Sequence, residues 1–124
     1  MIEISNAELA VMQVLWQRQP LSANDVVAAL GDDKDWHEKT VKTLLNRLVS
    51  KGALGFDKDG RAYLYFPLIA EQDYQLEQSR SFVERLFSGR IAPLVAGFAS
   101  QNKLNADDVA QLKQLIAEWE QKHD

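Results

Sequence analysis

The chain contains no cysteine. Disulfides, thiolate metal sites and cysteine nucleophiles are therefore excluded. Only two histidines are present, His37 and His123, too few for a histidine-rich zinc site. The longest largely apolar stretch, Ile91 to Ala99, spans nine residues and includes Pro93 and Gly97. A membrane-spanning helix needs about 20 residues. The opening M-I-E-I-S-N lacks the basic-then-apolar pattern of a secretion signal. No glycine motif that could cradle a phosphate is present. These absences make a protein of the reducing cytoplasm, without metal or other cofactor, the expectation.

What is there is ordinary globular material. The 124 residues are 46% hydrophobic and 26% charged, enough for one domain, or a small domain with an extension, around a real core. Fourteen basic against 18 acidic residues give a net charge of −4. Bulk charge of that sign disfavours nucleic acid as a partner. Its distribution points the other way. Between Glu38 and Lys51 stand Lys39, Lys42, Arg47 and Lys51 against one acidic residue. Screening confines each charge to about 8–10 Å, so this local excess outweighs the total.

Ser5 to Glu8 has the form of a capping box. Leu9, Met12 and Trp16 follow at helical spacing, with Val11 and Leu15 widening the stripe. The pattern predicts a helix from about Asn6 to Gln19, stopped by Pro20. Ser22 to Asp25 repeats the start signal, and Ala23, Val26, Val27 and Leu30 lead to Gly31 as a C-terminal stop. A third helix is expected from about Trp36 to Lys51, capped by Asp35 with Glu38. Its Val41, Leu44, Leu45 and Leu48 lie within about 100° on a helical wheel. Lys39, Lys42, Thr43, Asn46 and Ser50 lie opposite. Gly52 closes it.

The period then changes to alternation. Leu54 and Phe56 point one way on a short strand. Asp57-Lys58-Asp59-Gly60 supplies turn chemistry. Ala62, Leu64 and Phe66 alternate with Arg61, Tyr63 and Tyr65 on a second strand ended by Pro67. Three helices and a hairpin in this order are the layout of a winged helix-turn-helix, in which the third helix enters the major groove. The expected fold is thus mainly α with a small β-hairpin. A winged-helix DNA-binding domain occupies residues 1–69 and a helical dimerisation region residues 70–124.

The later residues read as three more helices. Leu76, Phe82, Val83, Leu86 and Phe87 share a face up to Gly89. Pro93 suits a first turn, and Leu94 to Ala99 leaves almost no polar side. Asn105 with Asp108 resembles a further cap before Val109, Leu112, Leu115, Ile116 and Trp119. This is more apolar surface than a small winged domain covers, and a second copy of the same helices is the simplest partner. The dimer interface is expected at Leu94, Val95, Phe98, Leu112, Leu115, Ile116 and Trp119.

The candidate DNA contacts are Lys39, Thr40, Lys42, Thr43, Asn46 and Arg47 on the third helix, with Lys58 and Arg61 at the wing. Thr43 and Asn46 are suited to base edges, and Lys39 and Lys42 to phosphates or guanine. Arg47 lies on the flank, placed either for a phosphate or for an acidic neighbour. A polar helix face is commonly just solvated; its place before a hairpin and its near lack of acid favour DNA here. Tyr63 and Tyr65 read as packing between the wing and the following helices, and Trp16 and Trp36 as core. His37 reads as a surface or capping residue, with a pH-sensitive phosphate contact as the alternative. Neither histidine has the surroundings of a catalytic site, so no enzyme is expected. Asp32, Asp33 and Asp35 lack the ligand spacing of a calcium loop and read as a solvated loop.

These segments carry a likeness. I-S-N-A-E-L-A-V-M-Q-V-L-W at Ile4–Trp16, K-T-V-K-T-L-L-N-R-L-V-S-K-G-A-L at Lys39–Leu54, G-R-A-Y-L-Y-F-P-L at Gly60–Leu68 and L-V-A-G-F at Leu94–Phe98 resemble the BlaI/MecI/CopY family of bacterial repressors. The resemblance covers about Ile4 to Trp119. It implies a homodimer of winged helices joined by intertwined C-terminal helices and bound to an inverted repeat over a promoter. It also implies, in the penicillinase branch, a sensor-linked protease that cleaves an Asn-Phe bond in the dimerisation region. Here Gly97 precedes Phe98. The copper branch senses metal through C-terminal cysteines, which this chain lacks. Where the family often has Ser-Pro, this chain has His37-Glu38.

The function expected is therefore a dimeric DNA-binding transcriptional repressor with double-stranded operator DNA as its partner. A winged-helix protein-interaction module without sequence-specific DNA binding is the alternative suggested by the acidic net charge. An effector-binding regulator is a third, though no residues mark a ligand pocket.

Overall fold

The computed structural model describes residues 2–34 and 36–123, with the side chains of 32–34 left aside. The side chains of Asp32 and Asp33 are among those left aside, and Asp35, with the cap expected of it, lies outside the described residues. Six helices and one hairpin follow in the order α1 (Asn6–Gln17), α2 (Ala23–Lys34), α3 (Glu38–Ser50), β1 (Leu54–Asp59), β2 (Ala62–Pro67), α4 (Glu71–Phe87), α5 (Ile91–Ser100) and α6 (Ala106–Lys122). No helix among the described residues is long and apolar enough to cross a membrane. The chain divides into two compact units, Met1–Leu76 and Glu77–Asp124.

The first unit is built on the predicted caps. The Glu8 amide donates to Ser5 Oγ at 3.1 Å and the Ser5 amide to Glu8 Oε1 at 2.9 Å, which closes the box at the start of α1. Ser22 and Asp25 do the same at the start of α2. Gly31 takes a φ of +67° and breaks the helical path of α2, a conformation that only glycine adopts freely. Val11, Met12 and Leu15 of α1, Val26 of α2, and Val41, Leu45 and Leu48 of α3 are completely buried against one another. Each such side chain contributes roughly 1.5–3 kcal/mol through its removal from water.

Two expectations need correction. The third helix begins at Glu38, not near Trp36, and its N-cap is His37, which makes no side-chain capping bond. Imidazole is a poor substitute for the short oxygen-bearing side chains that reach a first-turn amide. The turn of the hairpin is also shorter than expected. Asp57, Lys58 and Asp59 belong to β1, and Gly60 with Arg61 makes a two-residue turn. Gly60 supplies the positive φ, +64°, that such tight turns require.

The faces of the hairpin, which alternation alone leaves open, are set by the structure. Phe56 pairs with Tyr65 and Lys58 with Tyr63 across the ladder. Directly opposed residues share a face, so Leu54, Phe56, Lys58, Tyr63, Tyr65 and Pro67 form one row, whose Leu54–Tyr65 end meets the core. Tyr65 is buried while Leu64 and Phe66 are only partly so. Its backbone exchanges hydrogen bonds of 2.8 and 3.1 Å with Leu21, just before α2, adding a third short rung to the sheet. Burial pushes the Tyr65 phenol up, outweighing the effect of Lys42. Phe56 and Tyr63, farther along that row, are exposed and meet edge to face at 5.2 Å.

The second unit is different in kind. Among its described residues only Val83 is buried. Leu86, Ile91, Phe98, Leu115, Ile116 and Trp119 are each at least half exposed within the single chain. Asn105 caps α6 as expected, accepting the Asp108 amide at 2.8 Å. Pro93 lies in the first turn of α5, and Gly97 and Phe98 are helical residues of the same element.

Candidate nucleic-acid interface

Burial of one side of α3 decides what the other side offers. Val41, Leu44, Leu45 and Leu48 are fixed in the core, so Lys39, Thr40, Lys42, Thr43, Asn46 and Arg47 are all exposed. The side chains on this face are not equivalent. Thr43 Oγ1 donates to the Lys39 carbonyl at 3.0 Å. Its hydrogen is thereby used within the helix, leaving an acceptor and a methyl group for any partner. Lys42 Nζ lies 2.9 Å from Glu38 Oε1, one helical turn earlier. Lys39 and Arg47 have no ion-pair partner among the described residues.

Lys51, counted with the basic excess in the sequence, is engaged in an ion pair while its side chain stays partly exposed. Its Nζ lies 2.6 Å from Glu8 Oε1 and 2.8 Å from the Glu3 carbonyl. This links the end of α3 to the start of α1. Burial of Glu8 works to raise its pKa. The Lys51 ammonium, with the Ser5 amide and hydroxyl, more than offsets that and holds the carboxyl below its ordinary value. Glu8 Oε2 is buried without a hydrogen-bond partner among the described residues. The Glu8–Lys51 pair is invisible to sequence reasoning because its members lie 43 positions apart.

At the wing, Lys58 Nζ stands 6.0 Å from the centre of the Tyr63 ring, the outer limit for a cation–π contact. Arg61 points elsewhere. With Lys42 and Glu38 of α3, Ser22 and Asn24 at the start of α2, and Tyr63 of β2, it lines a cleft of about 300 Å³. The fold thus brings Lys42 and Arg61 together and leaves Lys58 out. Sequence reasoning misses Ser22, Asn24 and Tyr63 as cleft residues. The Ser22–Asp25 start signal could have flagged the first two, because the first amides of a helix face outward as anion donors. Tyr63, expected to pack against later helices, is exposed. A shallower groove follows Thr43, Asn46, Arg47, Ser50 and Lys51 along the outer side of α3.

Comparison with known proteins finds relatives over most of the chain. The family model described as penicillinase repressor matches residues 4–118. The penicillinase repressor of Bacillus licheniformis is 37% identical over 116 residues, covering 94% of this chain and 91% of that protein. The methicillin resistance regulatory protein MecI of Staphylococcus aureus strain N315 is 32% identical over 114 residues, with 92% and 93% covered. The solution structure of Bacillus licheniformis BlaI, in monomeric form with the blaP half-operator, matches with a TM-score of 0.52 and 44% identity. It covers 60% of this chain and 92% of that one.

Proposed function

The chain belongs to the penicillinase repressor family, and we propose that it is a DNA-binding transcriptional repressor, not an enzyme, that acts as a cytoplasmic homodimer on an inverted-repeat operator. The observation that carries this reading is α3: one side locked in the core, the other exposed, polar and basic, beside a hairpin with Arg61 at its turn. A relative with 44% identity over this part of the chain has been solved on half an operator.

In this reading α3 lies in the major groove. Asn46 and Thr43 meet base edges, with Thr40 beside them, and Lys39 and Arg47 meet phosphates. Arg61 and Lys58 of the wing meet the backbone to one side, with Ser22 and Asn24 at the start of α2 beside Arg61 in the same cleft. The dimer forms through Leu94, Val95, Phe98, Leu112, Leu115, Ile116 and Trp119. Of these, Phe98, Leu115, Ile116 and Trp119 are at least half exposed in the single chain, which a second copy would remedy. Two recognition helices on one DNA face then sit about 34–36 Å apart, or a multiple of that. Losing one half-site removes the gain in effective concentration that links the two. Repression follows from steric block of polymerase.

The test is selection of bound DNA from a genomic fragment pool at near-physiological salt. Enrichment of an inverted repeat with that spacing is the expected result. Binding that enriches nothing and fades as salt rises sinks the proposal and favours a protein-interaction module.

A further inference from the structure

Among the described residues, Glu38 is the one carboxylate lining a cleft whose other polar side chains, Ser22, Asn24, Lys42, Arg61, Tyr63 and Tyr65, all can donate hydrogen bonds. It is half exposed, stands at the first position of α3 and reaches Lys42 at 2.9 Å. A polyanion entering this cleft meets a negative charge at the end of the helix that leads into the groove. That contact is unfavourable against phosphate. It becomes favourable only against a hydrogen-bond donor. The donors on the major-groove edge are exocyclic base amines, and a carboxylate is matched to the N4 amine of cytosine. Lys42, held beside it, presents the complementary donor for guanine O6 and N7. Together the two side chains carry the acceptor and the donor that a G·C pair requires.

We infer that Glu38 is a specificity-determining residue: paired with Lys42, it reads a G·C base pair in each half-site and cancels Lys42 as a phosphate contact on non-cognate DNA. The inference rests on the repressor reading above. It also follows that Lys42 contributes little to counterion release while Glu38 is present, since the pair is neutral.

The experiment compares the full-length chain with Glu38→Gln. Both are bound to the selected operator, to a panel with each base pair replaced singly, and to unrelated duplex over a salt series. The substitution keeps the side chain's size and removes its charge. The variant is expected to lose roughly tenfold discrimination at one G·C position per half-site. It should bind unrelated duplex more tightly, with a salt slope steeper by about one per protomer. Glu38 is exposed, so coincident melting of the two proteins is expected. A variant that melts alike and selects with an unchanged profile overturns the inference alone. A wild-type chain that selects no sequence overturns the repressor reading, and this inference with it.

Discussion

Lys39 and Lys42 look equivalent in the sequence, two lysines on the polar side of one helix. The structure separates them, because Lys42 is paired with Glu38 and Lys39 is not. Lys39→Ala is therefore expected to weaken binding to all duplexes alike and to lower the salt slope by about one. Asn46→Ala is expected to act differently. It should relax preference at a single position per half-site, by about 1–3 kcal/mol, with little change in slope. An affinity panel of operator variants, titrated at two or more salt concentrations, distinguishes the two. A uniform loss for Asn46→Ala would remove it from base contact.

The Glu8–Lys51 pair carries a prediction about pH. The Glu8 pKa is lowered in the folded state. Its ionised form therefore stabilises the fold above the ordinary carboxylate range. That stabilisation disappears as pH falls through the folded value. Lys51→Met leaves a buried carboxylate opposed only by Ser5. The loss expected at neutral pH is about 2 kcal/mol, below the figure for a fully buried pair because Lys51 is partly exposed. The difference between wild type and variant should shrink steadily on acidification, once Glu8 is protonated in both. Denaturant melts from neutral pH down through the carboxylate range read this directly, and a constant difference would refute the linkage.

At the scale of elements, boundaries are set by a few residues with definite geometry. Ser5 and Ser22 start their helices through hydrogen bonds that a methyl group cannot make. Ser5→Ala is expected to lower stability by about 1 kcal/mol, measured by thermal unfolding. The starts of α1 and α2 are legible because a capping box is a local pattern of four residues. The start of α3 is not, because His37 caps it without a side-chain bond and the helix is fixed instead by its buried leucines. The hairpin is legible as a hairpin, but its faces are not. Alternation gives two rows of side chains and no rule for which row meets the core. Tyr65 lies inward because Leu21 forms a short bridge with it before α2, a contact between residues far apart in the chain.

For the whole molecule, the contrast between the two units matters most. The first has a closed apolar core, and the second exposes most of its large hydrophobic side chains. Large contiguous apolar surface is unusual on a stable monomer. The chain is expected to sediment as a dimer, with a melting temperature that rises with protein concentration. Leu115→Asp, combined with Trp119→Glu, should give monomers whose operator affinity falls steeply while the core of the first unit still unfolds cooperatively. Sedimentation velocity and operator binding of the double variant check this. A variant that remains dimeric would move the interface away from α6.

The elements, their order, the buried stripes and the polar face of α3 are all written along the chain. Helical and alternating periods, caps and turns are properties of neighbouring residues, so they can be read without a fold. Lack of cysteine likewise settles at once which chemistries are closed to the protein. Which charges remain free is a matter of packing in three dimensions. It ties Lys51 to Glu8, pairs Lys42 with Glu38, and gathers Arg61, Tyr63 and the start of α2 into one cleft with α3. Those outcomes depend on distances between side chains, and the energy of a charge depends on what stands within a few ångströms of it. No count along the chain contains that information.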